Sequence, residues 1–190
     1  VAVPLSHPTA RVRALSALQY ELKSMPQERI YETVAEIESA LAAPWSPEDL
    51  PAIFQALSWE DIHKMHRGGL FTFGGHTHRH LILGRCAEAH AAEEIRLSRD
   101  SLAEATGEPP TIVAYPNGQD GDFTSHTTRL LHDAGFEAAM TMAPGFINRA
   151  DDIYALPRYG APESVDEAEA TVSGTYETLK EWRTSISMNR

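Results

Sequence analysis

The segment LFTFGGHTHRH, residues 70–80, carries the strongest signal in the sequence. Its apolar first four residues predict a buried strand, and Gly74 and Gly75 predict a turn that leaves the strand. Three histidines follow within five residues, at positions 76, 78 and 80. Imidazole is the commonest metal ligand in proteins, and loops that follow strands carry the chemistry of α/β barrels. We therefore expect a metal site in this loop rather than a solvated turn.

Before residue 70 the sequence predicts helices and no convincing strand. Apolar side chains recur at helical spacing over residues 8–23 and 27–42. A short helix is expected to begin at Pro47, behind Ser46 as its cap. Ser58 followed by Asp61 predicts one more helix, which ends at the glycine pair 68–69.

After residue 70, predicted strands alternate with predicted helices. The strands are expected at residues 70–73, 111–115, 136–142 and 153–159, and the helices at 87–106, 123–134 and 164–183. Asp122 is expected to cap the helix at 123–134. Strands that alternate with crossover helices predict a largely parallel sheet covered on both faces. The chain is therefore expected to form one α/β domain.

Composition excludes several classes of protein and partner. The formal net charge is −11 and no basic stripe offsets it, so we expect no nucleic-acid partner. Cys86 is the one cysteine, which excludes an internal disulfide and a Cys-rich zinc site and leaves the cellular compartment open. No apolar run approaches the roughly 20 residues of a membrane span. No signal peptide is recognised, and because the chain begins at Val1 without Met we expect it to be processed or cut from something longer.

Three motifs together resemble the polysaccharide deacetylases of the NodB-homology type, carbohydrate esterase family 4. They are the histidine stretch at residues 74–80, AYPNG at 114–118 and LPRY at 156–159, and their order and spacing also fit. The resemblance implies a distorted (β/α) barrel with a metal at the C-terminal ends of its strands. Residues 1–69 would then be a helical insertion packed on the barrel, and residues 70–190 the C-terminal part of the barrel.

The resemblance also implies a reaction. The family removes N- or O-acetyl groups from sugars, using a divalent metal, usually zinc, that two histidines and one Asp hold. A second Asp deprotonates the metal-bound water, which attacks the acetyl carbonyl. A metal suits this task because it polarises the carbonyl and lowers the pKa of water towards neutrality. The implied partner of this chain is an acetylated glycan.

The metal ligands carried over from the family are His76 and His80. Neutral imidazole suits zinc, and three protein ligands leave one open position for water. His78 falls at a variable position of the motif, where we expect no ligand. Thr77 is expected to steady the loop through a hydrogen bond.

The second and third motifs imply groups that act on the substrate. The backbone N–H of Asn117 would stabilise the developing oxyanion, a role that tolerates a changed side chain. Tyr115 and Pro116 would shape the sugar-binding groove, with packing of the turn as the equal alternative. Arg158 lies at a predicted strand end, where it either faces the site or makes a structural ion pair.

Two departures from the family pattern concern the acid and the base. The Thr-Phe-Asp-Asp-Gly motif, which supplies the base and the metal-binding Asp, is absent, and residues 151–152 are interpreted as a solvated turn. The simplest account is a missing N-terminal segment, which would leave a sheet edge uncovered and open to self-association. Ala114 stands where many members have Arg, and no His follows His132. His126 and His132 are expected to be exposed on a helix, so the general acid is unassigned.

Two other functions remain open on the sequence. A degenerate deacetylase that binds glycan or metal without turnover would explain the missing Asp pair. A TIM-barrel metal-dependent amidohydrolase would explain His76 and His78 after a strand. That class needs further metal ligands on later strands. The later strands here end in Tyr115, Met142 and Tyr159 instead, which counts against it.

Overall fold

The computed structural model describes residues 7–41, 46 and 50–175. In this part of the chain the helices are α1 (Pro8–Ser24), α2 (Ile30–Leu41), α3 (Trp59–Arg67), α4 (Glu88–Thr106), α5 (Ser125–Asp133) and α6 (Val165–Val172). The strands are β1 (Ile112–Ala114) and β2 (Ala138–Met140), and 3-10 turns cover Gln27–Arg29, Ala52–Phe54 and Leu83–Arg85. Strands and helices alternate after residue 70, which confirms the predicted α/β class.

The described helices before residue 70 follow their sequence signals. The α3 helix begins with a capping box, in which Ser58 Oγ accepts from Asp61 N at 3.1 Å and Asp61 Oδ2 accepts from Ser58 N at 3.2 Å. The start of the helix expected at Pro47 lies outside the described residues. The helix predicted at 164–183 is wrong in its length, because α6 ends at Val172 and Gly174 has φ 75°. The division into segments 1–69 and 70–190 stays a prediction.

The central strands pair in parallel, as predicted. Ile112 of β1 lies opposite Ala138 of β2, and Ala114 lies opposite Met140. Each strand has only three residues, shorter than the predicted runs at 111–115 and 136–142. A closed barrel is not formed by the described residues and stays a prediction.

The strands predicted at residues 70–73 and 153–159 are wrong. Residues 70–73 form no bridge, and a single parallel bridge follows them between Gly75 and Val113. Residues 153–159 keep one parallel bridge, between Leu156 and Met140. Both are outer segments with one neighbour among the described residues, so hydrogen bonds form on one side only. Leu70 is 88% exposed, and the apolar run therefore gains little burial from strand pairing.

The core lies on one face of the sheet, under α4 and α5. It contains apolar side chains that are almost fully buried: Leu83, Ala91, Ile95, Val113, Tyr115, Leu131, Phe136 and Ala139. Side chains alternate across β1, because Val113 faces this core while Ile112 is exposed. The other face of the sheet lines a pocket of about 480 Å³ with Phe73 and Met140 in its wall. Coverage of both faces stays a prediction, since Ala138 on this face is buried while Ile112 is partly exposed.

The surface of the described chain bears on two further expectations. No helix among these residues is long and apolar enough to cross a membrane. Leu70 and Phe71 are exposed next to the outer segment of the sheet. Self-association through this edge stays a prediction.

Gly75 joins the outer segment to β1 at a point where no side chain fits. Its N–H donates to Ile112 O at 2.8 Å, and its carbonyl accepts from Ala114 N at 2.9 Å. A Cβ at this position would lie 2.9 Å from Cζ of Phe136, which is closer than carbon atoms approach in folded proteins. Glycine is therefore needed here for close packing rather than for an unusual backbone angle.

We expect Gly75→Ala to lower the free energy of unfolding by about 1–3 kcal/mol, because the added methyl group must displace the Phe136 ring in a packed core. Gly160→Ala is the matched control, since nothing lies within 4 Å of a Cβ there. That control should change the free energy by no more than about 0.5 kcal/mol. Urea unfolding of both variants measures the difference. Equal stabilities would contradict the close approach.

Candidate metal centre

His76 follows the outer segment of the sheet, and one of its ring nitrogens makes a hydrogen bond to the backbone. Its Nδ1 lies 2.7 Å from the carbonyl oxygen of Ala114 at the end of β1. A carbonyl only accepts, so Nδ1 donates its proton there and Nε2 is the nitrogen left for another partner. A backbone carbonyl bonded to one imidazole nitrogen is how metal-binding histidines are usually oriented. His76 is thus prepared to bind a metal through Nε2.

The ring of His80 contacts the ring of His76 across the loop. The two ring centroids are 4.7 Å apart, and the rings meet edge to face at 78°. Desolvation lowers the pKa of His80 below the ordinary histidine value, and the charges of His76 and Lys23 lower it further. A lowered pKa keeps the ring neutral to more acidic pH, and the neutral ring is the form that binds metals.

The backbone of this loop is strained at two places. Thr77 and His80 have φ values of 62° and 61°, in the left-handed region that residues other than glycine seldom adopt. The Thr77 hydroxyl is buried and has no hydrogen-bond partner among the described residues, so the predicted steadying bond is not formed. Strained backbone of this kind concentrates at functional sites, because the surrounding structure must hold it in place.

The far side of the histidine loop is held by a buried carboxylate and a half-exposed tyrosine. Glu94 of α4 is 2% exposed, and its Oε2 accepts from the backbone N–H of Arg79 at 2.7 Å. The Tyr31 hydroxyl of α2 donates to the carbonyl of Arg79 at 2.7 Å. These bonds fix the peptide that precedes His80. His78 is exposed, and its charge lies near Glu93 of α4.

The turn after β1 contains the candidate oxyanion donor. Asn117 has φ 61°, and its backbone N–H makes no hydrogen bond to another described residue. Gly118 N donates to Pro116 O at 2.7 Å, which closes the turn. Lys23 contacts Asn117 and also acts on the pKa of His80, so the turn and the histidine loop border the same region.

Two of the predicted groove residues lie beneath this turn. Tyr115 is 1% exposed, stacks on Phe123 with ring centroids 4.4 Å apart, and donates its hydroxyl to Tyr154 O at 2.9 Å. Pro116 is also fully buried. This placement favours the alternative of turn packing for both, and gives neither side chain an open surface for a sugar.

Arg158 lies close to the same turn. Its Nη2 is 3.0 Å from Sδ of Met142, and Met142 N donates to Gly118 O at 2.9 Å. No carboxylate pairs with Arg158 among the described residues, so the predicted structural ion pair is not seen there. A substrate role for Arg158 stays a prediction.

A buried carboxylate that the sequence assigned to helix capping belongs to this turn. Asp122 is 1% exposed, and its Oδ2 accepts from Gln119 N and from the side-chain amide of Asn117. Its Oδ1 lies 3.2 Å from Nη2 of Arg85. The N-cap of α5 is instead Thr124, so the predicted role of Asp122 is wrong.

No general base or third metal ligand emerges from the described residues. They contain no group of three or more His, Cys, Asp and Glu side chains that could hold a metal ion. Asp151 and Asp152 accept from nearby backbone N–H groups at 2.7 and 2.9 Å, as expected for a turn. His126 and His132 lie on α5. Nε2 of His126 is 3.5 Å from Oε1 of Glu88, and Nδ1 of His132 is 3.3 Å from Oδ1 of Asp133. The pair His76 and His80 therefore fits two ligand positions of a divalent metal, and its ligand role stays a prediction.

Comparison with known proteins gives relatives of one kind. A family model described as polysaccharide deacetylase matches residues 45–139, half of the chain. No curated protein matches the sequence. The Streptococcus pyogenes deacetylase PplD, solved in complex with acetate, is 20% identical, with a TM-score of 0.55 over 63% of this chain and 52% of that protein.

Other solved structures align less closely. A polysaccharide deacetylase from Bacillus cereus is 25% identical, with a TM-score of 0.49 over 56% of this chain and 33% of that protein. IcaB from Ammonifex degensii is 26% identical, with a TM-score of 0.48 over 61% and 53% of the two chains. The chain thus spans about half of the streptococcal and Ammonifex proteins and a third of the Bacillus protein. The match of the family model and the shared fold show that the chain belongs to the polysaccharide deacetylase family.

Proposed function

We propose that the protein removes acetyl groups, N- or O-linked, from a polysaccharide or amino sugar with the help of a divalent metal, most readily zinc. Family membership supports the deacetylation, and one observation supports the metal site. The Nδ1 nitrogen of His76 is held by the carbonyl of Ala114, and the ring of His80 lies against it with a lowered pKa. These contacts leave Nε2 of His76 for a metal and place the ring of His80 next to it.

The chain's own residues would supply binding and orientation. His76 and His80 would hold the metal, which when bound polarises the acetyl carbonyl and makes water a better nucleophile. The backbone N–H of Asn117 has no partner among the described residues, so it is available to donate to the oxyanion that develops on the carbonyl. One such donor is typically worth about 3 kcal/mol in the transition state. The base and the carboxylate ligand would come from residues other than the described ones.

A second candidate is a relative that binds glycan or metal without turnover. It is favoured by one observation, the lack of a third metal ligand among the described residues. Nothing comparable favours the amidohydrolase alternative, since the chain belongs to a deacetylase family.

In residues 1–190 joined to an upstream segment that carries an Asp-Asp motif, we expect His76→Ala and His80→Ala each to abolish stoichiometric zinc binding while the protein still folds, because each removes a ligand. His78→Ala is the matched control in the same loop and should change zinc content little. Metal content after exhaustive dialysis measures the three variants, with circular dichroism to confirm folding. An equal loss in all three would favour the His-x-His pattern of ligands instead.

Acetate release separates the enzyme from the non-catalytic relative. Residues 1–190 alone should release no detectable acetate from an acetylated chito-oligosaccharide, because the described residues contain no recognised base and no carboxylate ligand. Joining an upstream segment that carries an Asp-Asp motif should restore tight metal binding and acetate release together. Robust turnover by residues 1–190 would show that the base lies within them, and no turnover by the joined protein would favour the binding function.

A further inference from the structure

We propose that Asp122 is a positioning residue for the reaction: its buried carboxylate holds Asn117 in the left-handed conformation and so sets the direction of the Asn117 N–H. The inference rests on the proposed function, because that N–H is the candidate oxyanion donor. It assigns a role to a side chain that neither the metal site nor the family motifs use.

Both the oxygen and the nitrogen of the Asn117 side-chain amide make hydrogen bonds. Its Oδ1 accepts from Nζ of Lys23 at 2.8 Å, and its Nδ2 donates to Oδ2 of Asp122. A lysine ammonium only donates and a carboxylate only accepts, so the two partners determine which way the amide faces. A side chain fixed at both ends restricts the backbone that carries it.

The carboxylate of Asp122 is itself fixed from several directions. Its Oδ2 also accepts from Gln119 N at 2.9 Å, so it ties together two positions of the same turn. Its Oδ1 meets Nη2 of Arg85 at 3.2 Å, which compensates the buried negative charge. The backbone around Asp122 packs against Gly84, where a Cβ would lie 2.8 Å from the carbonyl carbon of Asp122.

The contacts close into a ring that joins distant parts of the sequence. Nη1 of Arg85 donates to the carbonyl of Lys23, the residue whose ammonium binds Asn117. The ring therefore runs from Lys23 to Asn117, to Asp122, to Arg85 and back to Lys23. It links the C-terminal end of α1 to the turn after β1, and Asp122 is its buried member. Hydrogen bonds in such a network strengthen one another, so loss of the charge on Asp122 loosens the turn.

The left-handed backbone of Asn117 is the part of the turn that needs this support. At φ 61° a residue other than glycine is disfavoured, and Asn tolerates the region better than most because its short amide bonds locally. Without the partners of the amide, the peptide can rotate towards commoner angles. Rotation of that peptide turns the Asn117 N–H away from the position of the oxyanion. The transition state then loses stabilisation, while substrate binding is unchanged.

The test compares Asp122→Asn with Asp120→Asn, an exposed Asp in the same loop, in residues 1–190 joined to the upstream Asp-Asp segment described above. Asp122→Asn should lower kcat for acetate release by about 10- to 100-fold with KM unchanged, less than the loss of a whole donor. It should also weaken the strong intraresidue NOE between HN and Hα of Asn117 that marks a left-handed backbone. Zinc content should stay the same, and Asp120→Asn should match the wild type in every measurement.

Two further variants keep the test decisive if Asp122→Asn does not fold. Asn117→Gly and Asn117→Ala both remove the side-chain amide, but only glycine enters the left-handed region freely. Asn117→Ala should therefore have a kcat about tenfold below that of Asn117→Gly. Equal kcat values for these two, or a folded Asp122→Asn that keeps both its kcat and its NOE, would overturn the inference. A wild type that releases no acetate refutes the proposed function instead, while the NOE of Asp122→Asn still tests whether Asp122 holds the turn.

Discussion

Two backbone hydrogen bonds between Gly75 and β1 fix the place of the histidine loop. They join Gly75 to Ile112 and to Ala114 at 2.8 and 2.9 Å. Because they bring the outer segment alongside the end of β1, the ring of His76 reaches the carbonyl of Ala114. The chain then passes through the strained Thr77 and returns at His80, which places the second ring against the first. The close packing of Gly75 on Phe136 explains why the segment lies so near the strand.

The surroundings of this loop come from parts of the chain that are far apart in sequence. The α2 helix supplies Tyr31 and α4 supplies the buried Glu94, which together hold the peptide of Arg79. On the other side, α1 reaches the turn after β1 through Lys23. The helices that precede the sheet are therefore part of the candidate site, since they orient both of its loops. Because the loop is held from two sides, the rings of His76 and His80 would stay in place before a metal binds.

The sequence predicted local features well and distant contacts poorly. The capping box at Ser58, the long helix α4 and the parallel order of the sheet all follow from periodicity and turn residues within a few positions. Asp122 was assigned to a helix cap because it precedes a helical stripe, whereas its partners include Arg85, which lies 37 residues away. The amide of Asn117 was given no role for the same reason, since Lys23 is 94 residues distant. The apolar run at 70–73 was assigned to a strand, although strand pairing depends on neighbours that no local pattern reveals.

We propose above that His76 and His80 together form a metal centre in this chain. The most direct measurement is a crystal structure of the zinc-soaked protein, with diffraction data collected above and below the zinc absorption edge. The account predicts one strong anomalous peak within about 2.0–2.1 Å of Nε2 of both His76 and His80, the usual length of a zinc–nitrogen bond. A peak at other histidines, such as His90 beside Glu28 or His66 beside Glu108, with none between His76 and His80, would contradict it.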